Sequence, residues 1–121
     1  MRDSPQDVHK KVLGRRGERL ALDYLKEKGY TLLESNYKTR FGEADLVLAF
    51  GNTVVFAEVK TRLSDTFGQP AEAVDARKQA RYIKIAKSFL QRWRGEDINI
   101  RFDVIEVTDA TIRHIEGAFE A

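Results

Sequence analysis

The chain has 121 residues, of which 42% are apolar and 33% are charged, with 8 glycines, 2 prolines and no cysteine. This length accommodates one compact domain with one core. The absence of cysteine excludes disulfide frameworks, thiolate metal sites and thiol nucleophiles. No apolar run approaches the ~20 residues of a membrane span, and the charged N-terminus is not followed by the apolar stretch of a signal peptide. We therefore expect a cytoplasmic protein that is not inserted in a membrane.

The net charge of +2 conceals an uneven distribution along the chain. Residues 1–94 carry a net charge of +7, whereas residues 95–121 carry −5. Basic side chains gathered on one surface suit a polyanion such as nucleic acid, although composition alone is weak evidence for one. Whether the protein binds nucleic acid must therefore be judged from where the basic residues lie.

Apolar periodicity predicts two helices. The first covers residues 12–28, and Gly29 follows it as a cap signal. We expect residues 1–11 to form a flexible segment and residues 12–121 to form a single domain. The second helix covers residues 72–93.

On a helical wheel, the second helix has an apolar face and an opposite basic stripe. The predicted core face contains Gln79, Tyr82, Ile83, Ala86, Phe89, Leu90 and Trp93. The basic stripe contains Arg77, Arg81, Lys84, Ser88 and Arg92. This stripe has two interpretations, a solvated helix face and a nucleic-acid contact.

Runs of β-type residues predict five strands, at 30–37, 44–50, 53–60, 98–107 and 111–115. Gly51 and Asn52 join the second and third strands as a tight hairpin turn. Residues 61–70 read as a loop. The order α-β-β-β-α-β-β predicts an α/β fold in which helices flank a mixed central sheet.

The register of this hairpin brings four charged side chains together. With a turn at 51–52, Asp45 lies opposite Glu58 and Glu43 lies opposite Lys60, and all four project from one face. Directly opposed residues have Cβ atoms about 4.5–5.5 Å apart, which is close enough for two carboxylates to ligate one small cation. The hairpin therefore contains a candidate metal site.

Two opposed carboxylates repel each other, so a cation is needed to offset the repulsion. Mg²⁺ or Mn²⁺ would serve, because these hard cations prefer carboxylate and water oxygens. Lys60 could then neutralise charge on a scissile phosphate. The alternative is a solvated strand face with cross-strand salt bridges. From the spacing alone, the two interpretations are evenly matched.

The motif Gly42-Glu43-Ala44-Asp45-Leu46, followed by Glu58-Val59-Lys60, resembles the catalytic pattern of the PD-(D/E)xK nuclease superfamily, which includes restriction endonucleases and Holliday-junction resolvases. The predicted element order also fits the core of that superfamily. Ala44 stands where a proline is common, at a position that the superfamily holds loosely. A closer resemblance, over residues 14–119, is to the bacterial YraN-like family of predicted endonucleases. It is carried by Gly17-Glu18, Asn36, the two motifs above, Phe56, Phe67-Gly68, Arg101-Phe102-Asp103-Val104 and Ala118-Phe119.

The resemblance implies a restriction endonuclease-like fold and assigns roles to individual residues. Asp45 and Glu58 become metal ligands, and Lys60 becomes the catalytic lysine. Glu18 matches a helix glutamate that helps to hold the metal. The alternative is that Glu18 lies at the edge of the apolar helix face and pairs with a nearby basic residue. Glu43 receives a supporting role.

Several other residues have predicted roles outside this set. Nucleic-acid contacts are expected from Arg15, Arg16, Arg19, Thr61, Arg62, Arg77 and Arg81. Gln79 and Tyr82 are interpreted as packing residues. Asp103 is expected to have a structural role as a hydrogen-bond acceptor. His114, on the last predicted strand, is also expected to be structural.

The combined hypothesis is an enzyme, a divalent-metal-dependent endonuclease that acts on DNA. Branched or distorted DNA is the expected substrate, because phosphate contacts recognise backbone shape rather than base sequence. A homodimer is expected, since one small domain offers little surface to a branched duplex. The alternative is a catalytically inactive protein that keeps the nuclease fold and binds nucleic acid or a partner.

Overall fold

The structure, a computed structural model, describes residues 5–62, 74–92, 97–108 and 111–121, with side chains from residue 13 onward. Its elements in chain order are α1 (Pro5–Glu27), β1 (Thr31–Thr39), β2 (Gly42–Phe50), β3 (Thr53–Thr61), α2 (Ala76–Leu90), β4 (Asn99–Val107) and β5 (Ile112–Phe119). The predicted α-β-β-β-α-β-β order is therefore confirmed. In the described part of the chain, no helix has the length and apolar character needed to cross a membrane.

The five strands form one sheet in the order β1-β2-β3-β4-β5. Strands β1, β2 and β3 are antiparallel neighbours, β3 and β4 are parallel, and β4 and β5 are antiparallel. A parallel pair requires a long crossover, which here contains α2. The mixed sheet is as predicted.

The largest differences from the predicted boundaries are at the start of each helix and at the end of β5. Helix α1 begins at Pro5 instead of near residue 12, so most of the segment predicted to be flexible is helical. Helix α2 begins at Ala76 because the carboxylate of Asp75 accepts a hydrogen bond from the Lys78 backbone N–H at 2.9 Å, which caps the first turn. Strand β5 continues to Phe119. Most of the predicted 61–70 loop lies outside the described residues, as does Trp93.

The two helices cover opposite faces of the sheet. Ala21 and Leu25 of α1 pack on alternate strand residues that include Leu48 and Val55, whereas α2 packs on the residues between them, which include Val54 and Phe56. Because both faces are covered, the central strands are apolar almost throughout. The buried residues of α2 are Tyr82, Ile85, Ala86 and Phe89. The predicted core face of α2 is therefore rotated from the observed one, which includes Ile85 and leaves Gln79 and Leu90 half-buried.

Asp103 anchors β4 to its surroundings. Its buried carboxylate accepts hydrogen bonds from Arg101 at 2.8 and 2.9 Å and from the Gly117 N–H at 3.0 Å, and it lies 2.7 Å from His114 Nε2. Burial by itself would raise the pKa of Asp103, but these hydrogen bonds outweigh it and lower the pKa. The contacts agree with the structural roles predicted for Asp103 and His114.

Gly17 allows α1 to approach the end of β3 closely. A Cβ atom at this position would clash with Oγ1 of Thr61, so one of the two residues would have to shift. At Gly14, one turn earlier, an added Cβ would meet nothing within 4 Å. The absence of a side chain at residue 17 therefore sets the distance between the helix and the sheet.

We expect Gly17→Ala to lower the free energy of unfolding by about 1–3 kcal/mol, because an extra methyl group overpacks a close contact. Gly14→Ala is the matched control and should raise stability by up to about 1 kcal/mol, since it changes only helix propensity. Urea denaturation measures both variants. Equal stabilisation by the two substitutions would contradict the close approach at Thr61.

Candidate active site

A cleft of about 260 Å³ lies beside the point where β2 and β3 part. Both helices and the first three strands contribute to its walls. The described residues that line it are Glu18, Asn36, Glu43, Asp45, Glu58, Lys78, Arg81 and Tyr82. Four of these residues are carboxylic acids, so the cleft is strongly acidic.

The hairpin register is confirmed, but it ends before the acidic residues. Paired positions run from Phe50↔Thr53 to Leu46↔Ala57, as the turn at 51–52 requires. Asp45 and Glu58 would form the next pair, yet the ladder does not extend to them, and the predicted pairing of Glu43 with Lys60 is likewise not made. Instead, the Asp45 Oδ2 atom accepts a hydrogen bond from the Val59 backbone N–H at 2.8 Å. A side chain thus bridges the gap between the two strands.

Glu58 is buried, and α2 supplies partners to both of its oxygens. The Lys78 ammonium lies 2.6 Å from Oε1, and the Tyr82 hydroxyl donates to Oε2 at 2.5 Å. The same hydroxyl accepts a weak hydrogen bond of 3.4 Å from the Asp45 backbone N–H. Tyr82 therefore connects the two strands that carry the carboxylates, and its predicted role as a packing residue is incomplete.

Glu18 reaches the cleft from α1, and Asn36 reaches it from β1. Burial raises the pKa of Glu18, a hydrogen bond with Asn36 opposes this shift, and repulsion from Glu43 and Glu58 adds to it. Asn36 has a φ of 50°, in the left-handed region that asparagine tolerates better than most residues. It falls between the β1–β2 pairs Ser35↔Leu46 and Tyr37↔Ala44, beside Asp45. The left-handed residue of β1 therefore lies at the cleft.

Asp45 is the most perturbed carboxyl group of the cleft. Burial raises its pKa to about 7, and the charges of Glu58 and Glu18 act in the same direction. The hydrogen bond from Val59 and the charge of Lys78 lower this pKa but do not cancel the shift. The cleft thus holds more negative charge than its own cations offset.

The structure brings only some of the predicted site residues together. Asp45, Glu58, Glu18, Glu43 and Arg81 line the cleft, whereas Lys60 is exposed and is not among the described lining residues. Its predicted catalytic role stays a prediction. Of the predicted nucleic-acid contacts outside the cleft, Arg15, Arg16, Arg19 and Arg77 are exposed, and Thr61 and Arg62 are half-buried.

Sequence reasoning missed Lys78 and the contact made by Tyr82. One signal could have found Lys78: Asp75 is a helix N-cap residue, and placing the helix start after it puts Lys78 in the first turn. The predicted start at residue 72 obscured this signal. For Tyr82, the helical wheel correctly indicated burial, but periodicity does not show what a buried hydroxyl contacts.

The raised pKa of Asp45 has a consequence for stability. In the unfolded chain this carboxyl ionises near its ordinary value of 3.8, whereas in the folded protein it ionises at about pH 7. Between these values the folded state binds more protons, so the free energy of unfolding falls as the pH rises. Above about pH 7, Asp45 is ionised in the folded protein and the full loss of stability is present.

We therefore expect Asp45→Asn to be more stable than the wild type at pH 8 by about 1–3 kcal/mol, allowing for partial solvent screening. Asparagine retains an oxygen that can accept from Val59 but carries no charge. The difference should shrink toward zero near pH 4. Urea denaturation with a chelator present measures it, with the exposed Glu43→Gln as the control for removing one charge. A pH-independent difference would show that ionisation of Asp45 is not its source.

The fold and the cleft define a class of α/β protein in which carboxylates gather where two strands of a mixed sheet part between two helices. The chain belongs to the uncharacterised protein family UPF0102, whose model matches residues 17–107. This is the YraN-like family that the motifs resemble, so the predicted family is confirmed. The matched segment includes all of the described residues that line the cleft.

Relatives from this family match the chain over nearly its whole length. A UPF0102 protein of Thermodesulfovibrio yellowstonii is 48% identical over 107 residues, covering 88% of this chain and 95% of its own. A UPF0102 protein of Alkaliphilus oremlandii is 46% identical over 115 residues, covering 90% and 98%. One from Caldanaerobacter subterraneus is 44% identical over 119 residues, covering 93% and 98%.

Proposed function

We propose that this protein is a divalent-metal-dependent endonuclease that hydrolyses phosphodiester bonds in DNA. The main observation in favour is the pair formed by Asp45 and Glu58, whose burial and proximity raise the pKa of Asp45 to about 7. Holding like charges together in a partly buried place costs free energy, which a bound cation would offset. A structural role alone does not require such an arrangement.

The donor set fits a small, hard cation. Asp45 and Glu58 offer carboxylate oxygens, and Mg²⁺ is commonly held by one or two carboxylates together with water and substrate phosphate. The described residues contain no ready cluster of three or more His, Cys, Asp or Glu side chains able to hold a metal. Water and phosphate would therefore complete the ligand set, and Glu18 would support the site from α1. When bound, Mg²⁺ or Mn²⁺ would activate water for attack on the phosphodiester and neutralise charge on the phosphate.

The residues of the chain would orient these groups. The Val59 N–H holds Oδ2 of Asp45, and the Tyr82 hydroxyl holds Oε2 of Glu58. Lys78 places a positive charge inside the cleft, where charge develops on a phosphate that is being cleaved. We propose that Lys78 shares this task with Lys60, which extends from the same strand as Glu58.

The substrate and the assembly are part of the same proposal. Exposed Arg15, Arg16 and Arg19 on α1 would contact backbone phosphates, which favours recognition of branched or structured DNA rather than of a base sequence. A cytoplasmic homodimer would provide the surface that such a substrate needs.

The deciding experiment is calorimetric titration of Mn²⁺ into the wild type and into Asp45→Asn in the same salt. We expect binding by the wild type and none by the variant, because the variant lacks one of the two ligand charges. Glu27→Gln, at the exposed end of α1, is the matched control and should bind Mn²⁺ like the wild type. The titration is repeated with a non-cleavable DNA, since a phosphate oxygen can complete the site.

Cleavage is then measured directly on branched, flapped and linear DNA. Asp45→Asn should abolish cleavage while leaving DNA affinity intact, and Lys60→Ala and Lys78→Ala should each reduce the rate by about 10²–10³-fold, the range for loss of one charge-stabilising group. Wild-type protein that binds no Mn²⁺ even with DNA present would overturn the proposal in favour of the inactive binding protein. Cleavage that survives Asp45→Asn would show that the site is misassigned.

A further inference from the structure

A second concavity, of about 280 Å³, lies beside the acidic cleft. It is formed by the turn between β1 and β2 and by the outer face of α2. Its described lining residues are Arg40, Phe41, Lys84, Lys87, Ser88 and Gln91, and we refer to it as the Phe41 pocket. No carboxylic acid is among those described residues, in contrast to the neighbouring cleft.

The cations of the Phe41 pocket are arranged around one aromatic ring. The Arg40 guanidinium lies 4.8 Å from the centroid of Phe41, and the Lys84 ammonium lies 6.0 Å from it. Such cation–π contacts position charged groups without neutralising them. Within the described parts of the chain, neither Arg40, Lys84 nor Lys87 forms an ion pair. Among the described residues, no carboxylate therefore compensates the positive charge of the pocket, and polar groups of Ser88 and Gln91 lie beside it.

The Phe41 pocket adjoins the acidic cleft at Arg81. Arg81 lines the cleft, and its side chain lies across Gly42, the residue that follows Phe41. A helix rises about 1.5 Å per residue, so Lys84 and Lys87 lie about 4.5 and 9 Å further along α2 than Arg81. A row of cations thus leads from the carboxylates to the pocket.

We propose that the Phe41 pocket binds a backbone phosphate of the DNA strand that enters the cleft. The identity of the polymer rests on the proposed function. The phosphate would belong to a nucleotide close to the scissile one, because Lys84 and Lys87 lie only about 4.5 and 9 Å along α2 from Arg81. Its role is to hold the strand in register with the carboxylates, which themselves repel a phosphate in the absence of metal.

The test measures the binding of a labelled DNA duplex by fluorescence anisotropy over a series of salt concentrations, with a chelator present to prevent cleavage. Each phosphate contact contributes about 0.9 to the slope of log K against log salt. The double variant Lys84→Gln/Lys87→Gln removes this one phosphate contact, so it should reduce the magnitude of the slope by about 0.9 and weaken binding at least several-fold. The matched control, Lys26→Gln/Lys28→Gln, removes the same charge at the end of α1 and just beyond it and should leave the slope nearly unchanged.

The outcomes separate this inference from the proposed function. Asp45→Asn should not reduce the slope, because the cleft carboxylates repel phosphate rather than attract it when no metal is bound. Equal slopes for the two double variants would contradict phosphate binding by the Phe41 pocket and would leave the nuclease proposal unaffected. A reduced slope in Lys84→Gln/Lys87→Gln, together with no Mn²⁺ binding by the wild type even with non-cleavable DNA present, would support phosphate binding by the pocket and overturn the nuclease proposal. A wild type that binds no DNA would overturn the pocket, whatever the Mn²⁺ titration shows.

Discussion

The hydrogen bond from the Val59 backbone N–H to the Asp45 carboxylate, 2.8 Å long, determines how the sheet opens. Beyond the pair Leu46↔Ala57, β2 and β3 are no longer paired. Without another acceptor, the Val59 N–H of β3 would be unsatisfied at a partly buried position. The side chain of Asp45 takes the place of a strand carbonyl there. Because the same bond orients the carboxylate, the structural solution for the end of a ladder also creates the acidic cleft beside Glu58.

The two helices complete the cleft from opposite faces of the sheet. Gly17 permits the close approach of α1 that places Glu18 at the rim, and the Asp75 cap sets the first turn of α2 so that Lys78 reaches Glu58. The charge of Glu58 is thereby compensated, whereas burial and repulsion leave Asp45 with a raised pKa. Destabilising groups of this kind, supported by a well-packed scaffold, are characteristic of functional sites.

Charge is segregated over short distances around this site. The cleft is rich in carboxylates, while the adjoining Phe41 pocket is lined by Arg40, Lys84 and Lys87, and Arg81 joins the two. A polymer of phosphates together with a small divalent cation would complement both regions at once. This complementarity, rather than the fold alone, supports the proposed chemistry, because one fold hosts many functions.

The order of elements, the hairpin register and the family were all determined by the sequence itself, since alternation, turn residues and motifs are local properties. The same local rules correctly placed Asp45 and Glu58 at one end of the hairpin. Tertiary structure alone decided where the ladder stops, which lysine contacts Glu58, and which face of α2 is buried. Lys78 and Tyr82 lie 20 and 24 residues from Glu58 along the chain, and their contacts with it depend on the packing of α2 against the sheet. Helical periodicity indicates that a side chain is buried, but the partner of a buried polar atom depends on the docking of one element against another.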